Sequence, residues 1–152
     1  MATTAAHGSE ALRAVENLLD GRGVSHRKPC SALDLVEAIR QGVPAAAIDS
    51  LRKAIQVSQT DFARALGIPE RTLARRKREG KLSPDESAKM LRLARIIRRA
   101  GEVFENPEAA LHWLKSSNAA LAGATPLSLL DTDIGAESVL DTLGRIEHGV
   151  FA

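Results

Sequence analysis

Apolar side chains recur every three to four residues through most of this chain, and no segment alternates apolar and polar positions with a period of two. This spacing places apolar side chains on one face of an α-helix. Aromatic residues make up only 3% of the chain, and tyrosine is absent. The core must therefore be built from Leu, Ile, Val and Ala, a composition that favours helices over sheets. The pattern predicts an all-α protein.

The helical segments fall into three parts: residues 1–30 as a flexible region with one helix, residues 31–100 as a helical domain, and residues 101–152 as a second domain. The cap Ser83, followed by Pro84 and Glu86, predicts a long helix that reaches Arg99 or beyond. Trp113 is expected to be a core or interface anchor. Outside residues 58–78, the side chains expected to face inward are Leu35, Val36, Ile39, Ala47, Ile48, Leu51, Ile55, Ala110, Leu111, Leu114, Leu127, Leu130, Ile134, Val139, Leu140, Leu143 and Ile146.

Residues 58–78 have the spacing of a helix-turn-helix. Ser58 is suited to cap the first helix, and Gly67 permits the left-handed conformation that ends it. Pro69 fits the first turn of the second helix, where a missing N–H costs nothing. The small side chain of Ala63 lets the two helices cross closely. The interior positions of the motif are Phe62, Leu66, Ile68 and Leu73.

The second helix of this motif presents a line of arginines. Arg71, Arg75 and Arg78 point along one side, as a recognition helix in the major groove of DNA requires. Arg76 stands where an apolar residue normally locks the helix, so we expect it to snorkel, to pair with an acid or to mark an early helix end. An ordinary helical hairpin with a solvated basic face is the alternative, because helix-turn-helix patterns give false positives.

The net charge of +2 conceals a strong asymmetry along the chain. Residues 71–99 carry eleven basic and three acidic side chains, whereas residues 100–152 carry two basic and eight acidic ones. This distribution implies a polyanionic partner for the middle of the chain and a different partner for its end. Few acids interrupt a basic strip on the long helix, which is either a solvated face or a line of phosphate contacts. Its members are Lys89, Arg92, Arg95 and Arg99.

The sequence contains no recognisable pattern for catalysis or metal binding. Cys30 is the single cysteine, which excludes an internal disulfide and a cysteine-based zinc site. The four histidines are scattered, and there is no P-loop, dinucleotide-binding turn or nucleophile elbow. We therefore expect a binding protein without a cofactor rather than an enzyme. No apolar run is long enough for a membrane helix and no secretion signal is present, so a cytoplasmic protein is expected.

Longer motifs, covering roughly residues 43–152, resemble the Xre/ParS/MbcA family of antitoxins. They are RTLARRKREGKLSPDESAKMLRLARI, A-x-x-V-F-x-N-P-x-x-A-x-x-W-L, N-x-A-L-x-G-x-T-P-L-x-L-L-D-T-x-x-G-A and V-x-x-x-L-x-R-I-E-H-G-V. The resemblance implies an antitoxin that neutralises a RES-domain toxin acting on NAD and that represses its own operon by binding operator DNA. It also implies a homodimer within a larger toxin complex, in which the C-terminal end of the antitoxin masks the NAD pocket.

The resemblance assigns DNA binding to residues 31–100 and toxin binding or dimerisation to residues 101–152. The implied DNA-binding residues are Arg71, Thr72, Arg75, Arg76, Lys77, Arg78 and Lys81. The implied toxin-binding residues are Arg145, Ile146, Glu147, His148, Gly149, Val150 and Phe151.

Several interpretations stay open at the level of the sequence. The signature turn at residues 123–132 is either structural or a direct toxin contact. A glycine inside a helix, Gly144, is costly, and an apolar Phe151 near the end of the chain suggests burial by a partner. A docked C-terminal helix is the alternative for that end. Two other functions are a stand-alone dimeric helix-turn-helix repressor without a toxin, and an adaptor whose basic middle binds an acidic protein.

Overall fold

The computed structural model describes residues 32–149, and within that range the chain is helical and contains no strand. The predicted all-α fold is confirmed. The expected helix in residues 1–30 lies outside the described residues. The helices are α1 (Ala32–Gln41), α2 (Ala46–Ile55), α3 (Gln59–Leu66), α4 (Glu70–Glu79), α5 (Pro84–Phe104), α6 (Pro107–Leu114) and α7 (Asp133–Glu147), with short 3-10 helices at Ala119–Leu121 and Pro126–Leu129.

The helix starts follow from local sequence. Ser83 and Glu86 form the predicted capping box, in which each side chain bonds the other residue's backbone N–H. Asn106 caps α6 through two backbone N–H groups, and Thr132 caps α7 by accepting from the Gly135 N–H at 3.0 Å. Helix α2 begins at Ala46, and Pro44 lies outside it, in an isolated bridge with Lys81.

Helix α5 is the centre of the fold and packs against α1, α3, α6 and α7. One hydrophobic core extends from Val43 to Leu143, and it includes buried residues on both sides of residue 100. The side chains of α5 that form this core are Met90, Leu91, Leu93, Ala94, Ile96, Ile97 and Ala100. The predicted domain boundary thus falls inside a continuous helix whose buried face serves both parts of the chain.

Three side chains that were expected to face inward are exposed. Val36 lies at the outer edge of α1, whose Leu35 and Ile39 pack against the core and whose Ala38 is buried. On α7, Ile134 is 78% exposed and Leu140 is 42% exposed. The segment is helical as predicted, but the buried stripe of α7 is narrower than its apolar residues alone indicated. The α7 side chains buried in the core are Ala136, Val139, Thr142 and Leu143.

Trp113, which was expected to be an anchor, is half-buried at the surface of α6. Its ring contacts that of Phe104 at the end of α5, with centroids 5.7 Å apart. This tilted pair lies within the distance range of favourable aromatic contacts. It closes the corner between α5 and α6.

Candidate functional site

Helices α3 and α4 form the predicted helix-turn-helix. The Ser58 hydroxyl accepts from the Asp61 N–H at 3.1 Å, and Gly67 adopts the left-handed conformation at φ +68°. Pro69 is the residue immediately before α4 rather than part of its first turn, and its carbonyl accepts from the Leu73 N–H. The interior predicted for the motif is buried, namely Phe62, Ala63, Leu66, Ile68 and Leu73.

The outward side of α4 carries the three arginines that the spacing placed together. Arg71, Arg75 and Arg78 are all exposed. Within residues 32–149, Arg71 and Arg78 have no ion pair, and Arg75 has a 3.7 Å contact with Glu79. Solvent-exposed pairs of this kind contribute little energy and exchange readily. These three guanidinium groups are therefore available to an anionic ligand.

Arg76 pairs with acids, which was one of the three outcomes expected for it. Its Nε lies 2.8 Å from the Glu86 Oε2, and its Nη1 lies 2.7 Å from the Glu79 Oε2. The hydrogen bond with Glu86 raises the pKa of Arg76 above its usual value. The Glu86 carboxylate also accepts from the Ser83 N–H, so a single group joins the end of α4 to the start of α5. Arg76 is thus held by the fold rather than turned outward beside Arg75.

Lys77 is also engaged within the fold. Its Nζ lies 2.8 Å from the Asp49 Oδ1 on α2, and this hydrogen bond lowers the pKa of Asp49 below its usual value. Thr72 is half-buried, and Lys81 is exposed beside the bridge with Pro44. The seven residues that the resemblance assigns to DNA therefore form three groups. Three arginines point outward on α4, Thr72 and Lys81 flank them, and Arg76 and Lys77 hold α4 through acidic partners.

The basic strip of α5 faces the acidic end of the chain, which corrects the expectation that few acids neutralise it. Arg92 Nη1 lies 2.5 Å from the Asp133 Oδ1, and Arg99 pairs with Glu147 through both guanidinium Nη atoms. The bond with Arg99 lowers the pKa of Glu147, and the same bond raises that of Arg99. The acids that neutralise the strip are 41 and 48 residues away in sequence, so a local inspection misses them.

Lys89 is also occupied, whereas Arg95 is not. The Lys89 Nζ contacts the Gly67 carbonyl oxygen at 3.4 Å and the Asp85 carboxylate at 3.5 Å. Arg95 is exposed and has no ion pair within residues 32–149. Lys89 therefore connects α5 to the turn of the helix-turn-helix, and Arg92 and Arg99 connect it to α7. Only the guanidinium of Arg95 in this strip is without an ion pair within residues 32–149.

The stretch assigned to toxin binding is divided between the inside and the outside of α7. Arg145 and His148 are exposed, and Gly149 follows the helix at φ +69°. Ile146 is half-buried and Glu147 is paired with Arg99. Val150 and Phe151 lie outside the described residues. Only part of the predicted stretch is thus presented to a partner by the helix itself.

The signature turn at residues 123–132 has clear structural tasks. Thr125 caps the second 3-10 helix, and Leu127 and Leu130 are buried beneath it. At Gly135, an added Cβ would lie 1.9 Å from the Leu129 carbonyl oxygen, so only glycine allows α7 to pass this close. Asp131 lies against Gly67, where an added Cβ would meet the Asp131 Cβ at 3.4 Å. These contacts support a structural role for the signature turn and connect it to the turn of the helix-turn-helix.

Two family models match consecutive parts of the chain. Residues 34–95 match the antitoxin Xre-like helix-turn-helix domain, and residues 99–149 match the antitoxin Xre/MbcA/ParS C-terminal toxin-binding domain. The chain is 36% identical over 120 residues to the antitoxin Xre of Yersinia enterocolitica. These aligned residues cover 78% of this chain and 81% of that relative. The chain belongs to the Xre family of antitoxins.

Two further relatives support the assignment of this chain to the antitoxin family. An antitoxin Xre from Photorhabdus laumondii is 33% identical over 116 residues, covering 75% of this chain and 78% of that protein. A Prs ADP-ribosylating antitoxin from Sphingobium sp. is 30% identical over 132 residues, covering 80% and 83%. The two family models meet between residues 95 and 99, inside α5, where the structure has one continuous core.

Two negative findings concern the described part of the antitoxin, residues 32–149. None of its helices is both long and apolar enough to cross a bilayer. In that same range, no group of three or more His, Cys, Asp or Glu side chains is placed to hold a metal ion.

The sequence missed the acidic partners that position the site. Glu86 was recognised as a cap, but its bond to Arg76 crosses ten residues and a turn. Asp49 and Glu147 are still farther from the basic residues they hold. The available signal was the unusual Arg76 in an apolar position, which indicates that an acid must lie near it.

Proposed function

We propose that this antitoxin neutralises a RES-domain toxin that acts on NAD and represses its own operon through α4. The toxin assignment is supported by the C-terminal motifs, which resemble antitoxins of RES-domain toxins, and by the family match of residues 99–149. The name of the Sphingobium relative refers to ADP-ribosylation of Prs. ADP-ribosyl groups are taken from NAD, so this name is consistent with a toxin of that chemistry.

The DNA-binding half of the proposal rests on one observation, the outward line of Arg71, Arg75 and Arg78 on α4. An exposed row of guanidinium groups on the second helix of a helix-turn-helix suits phosphates and guanine edges in the major groove. In this proposal Thr72 and Lys81 flank the contact, and Arg76 and Lys77 orient the helix through their acidic partners. The antitoxin acts by binding rather than by catalysis, in the cytoplasm, and as a homodimer whose symmetry matches a palindromic operator.

Co-expression with the product of the neighbouring gene, which this proposal expects to be a RES-domain toxin, tests the toxin half. Growth and cellular NAD should recover when the full chain is present, and removal of residues 144–152 should weaken that recovery. Full rescue by the truncated chain would rule out a contribution from the C-terminal end. Binding to the operator without any effect on the toxin would instead favour a stand-alone repressor.

Binding to a palindromic promoter fragment tests the DNA half. The affinity for this fragment should exceed that for a random duplex of equal length, since base contacts add to the phosphate contacts that both duplexes offer. Equal affinity for the two duplexes would contradict operator recognition. Binding to neither duplex would favour the adaptor function, in which the basic surface contacts an acidic protein.

A further inference from the structure

We propose that the toxin docks along the outward side of α7, a surface that extends well beyond the C-terminal end of the chain. This inference rests on the proposed RES-toxin function. We call this surface the α7 face, defined by Ile134, Glu137, Leu140, Asp141, Gly144 and Arg145. These residues lie along the side of α7 that is turned away from the buried stripe, and the face runs the length of the helix.

Among residues 32–149, two large apolar side chains of the α7 face are exposed. Ile134 is 78% exposed in the first turn of α7, and Leu140 is 42% exposed at the edge of the face. Apolar side chains grouped on one helix and rimmed by charges are typical of a protein contact. An apolar side chain at this exposure gains free energy when a partner removes it from water.

Gly144 supplies a second, independent observation. The two glycines inside α7 differ in their surroundings. Gly135 is required by the close approach of the Leu129 carbonyl, whereas an added Cβ at Gly144 meets no atom of residues 32–149 within 4 Å. A glycine in a helix interior destabilises the helix, and in the described part of the chain no contact explains the one at position 144. A partner that approaches the backbone closely at this point explains it.

The inner side of α7 is packed into the hydrophobic core, so the face is presented in a defined orientation. Arg92 pairs with Asp133 at the start of the helix, and Arg99 pairs with Glu147 at its end. Val139 and Leu143 are fully buried between these two ion pairs. A docking surface that is already ordered in the free protein loses little conformational entropy on binding.

The charge order of the face indicates the chemistry of its partner. Glu137 and Asp141 are acidic, and Arg145 is basic at the C-terminal end. Acidic groups in the middle of the face disfavour a nucleic acid and fit a protein surface with basic groups opposite them. The partner would place an apolar side chain against Ile134 and an acidic group near Arg145.

The toxin is the occupant that the observations favour. All of α7 lies in residues 99–149, which match the toxin-binding domain model. A helix of this length presents a strip only about 22 Å long, which by itself offers too little area for a stable interface with any protein partner. Beside Leu140, the face continues into an open cleft of about 450 Å³ between α5 and α7, lined by Arg95 and Arg98 among others. The α7 face and this cleft together offer a larger contact surface to a protein partner than the helix alone.

Titration of the full-length antitoxin with a catalytically inactive form of the neighbouring RES toxin tests the inference. Ile134→Glu should raise the Kd at least about 30-fold, the scale of a central interface residue, and Gly144→Gln should raise it about 10-fold or more. Leu33→Glu on α1 is the matched control, because Leu33 is 77% exposed and lies outside the face. It should change the Kd less than about 3-fold, since exposed residues outside an interface contribute little to binding.

The outcomes separate the inference from the function on which it rests. Retained affinity in both α7 variants would overturn the α7 face while leaving the antitoxin function intact. Failure of the wild-type chain to bind the toxin would overturn the function and the inference together. Sedimentation of the free chain tests whether a second copy of the chain, rather than the toxin, occupies the α7 face. If both variants dissociate a dimer while their Kd for the toxin stays at the wild-type value, the face is a self-association surface and the inference is wrong.

Discussion

A matched pair of glycine substitutions in α7 tests how the C-terminal part of this antitoxin is packed. Gly135→Ala places a Cβ 1.9 Å from the Leu129 carbonyl oxygen and 2.8 Å from its carbon, and the third neighbour is the capping hydroxyl of Thr132 at 2.9 Å. Two of these neighbours are backbone atoms, which cannot rotate away. The start of α7 must therefore move by roughly 1 Å from the second 3-10 helix.

The expected cost follows from the terms that this movement changes. Overpacking against fixed backbone costs about 1–3 kcal/mol, and a weakened Thr132 cap adds up to about 1 kcal/mol. The better helix propensity of alanine offsets about 1 kcal/mol of this loss in the free energy of unfolding. We expect Gly135→Ala to lower the free energy of unfolding by about 2 kcal/mol, which corresponds to a fall in Tm of about 5–10 °C for a domain of this size.

Gly144→Ala is the control in the same helix. Its Cβ meets no atom within 4 Å in the part of the chain that the structure describes, so the substitution carries the gain in helix propensity without a steric cost. The free energy of unfolding should rise by about 0.5–1 kcal/mol. Thermal and urea unfolding, followed by circular dichroism at one fixed protein concentration, measure both variants and exclude mass-action effects of self-association.

The signs of the two changes decide the outcome. Opposite signs support the close approach at residue 135 and the open space at residue 144. A wild-type Tm for Gly135→Ala would show that the signature turn does not press on α7 as the structure describes. A large loss of stability for Gly144→Ala would show that the outward side of α7 is packed against something in the free protein.

Three further predictions concern the α4 site. Arg75→Ala should weaken binding to the promoter fragment by about 1–3 kcal/mol in fluorescence anisotropy, the value of a guanine-edge contact, and an equal loss on random duplex would make it a phosphate contact. Affinity for the operator should fall steeply between about 50 and 200 mM salt, because neutralised phosphates release counterions, and a flat response would contradict the electrostatic interpretation. Burial raises the pKa of Glu86, but the hydrogen bonds from Arg76 and Ser83 outweigh it, so the pKa in the folded protein lies below the unfolded value of about 4.3. The stability that this group contributes is therefore complete above that value and is lost as the pH falls through the folded pKa. The difference in unfolding free energy between wild type and Glu86→Gln should stay constant from about pH 7 to 5 and shrink below about pH 4. An undiminished difference at about pH 3 would refute this linkage.

The sequence alone determined the elements and the class of protein. Apolar spacing and the capping residues Ser58 and Ser83 were sufficient for most helices, because both signals act within a few residues of one another. The helix-turn-helix was recognisable for the same reason, since its cap, turn glycine and interior lie within 21 residues of chain. The C-terminal motifs were sufficient for the antitoxin family, which the two family models confirm.

Only the tertiary structure decided which charges and which apolar side chains are free. Arg92 and Arg99 were grouped with a basic strip, yet their acidic partners come from α7, more than forty residues away. Ile134 has the same apolar character as Val139, but the contact with α5 covers only one stripe of α7 and leaves Ile134 in solvent. Such outcomes depend on which helices meet and at what rotation about their axes, and neither composition nor local spacing contains that information.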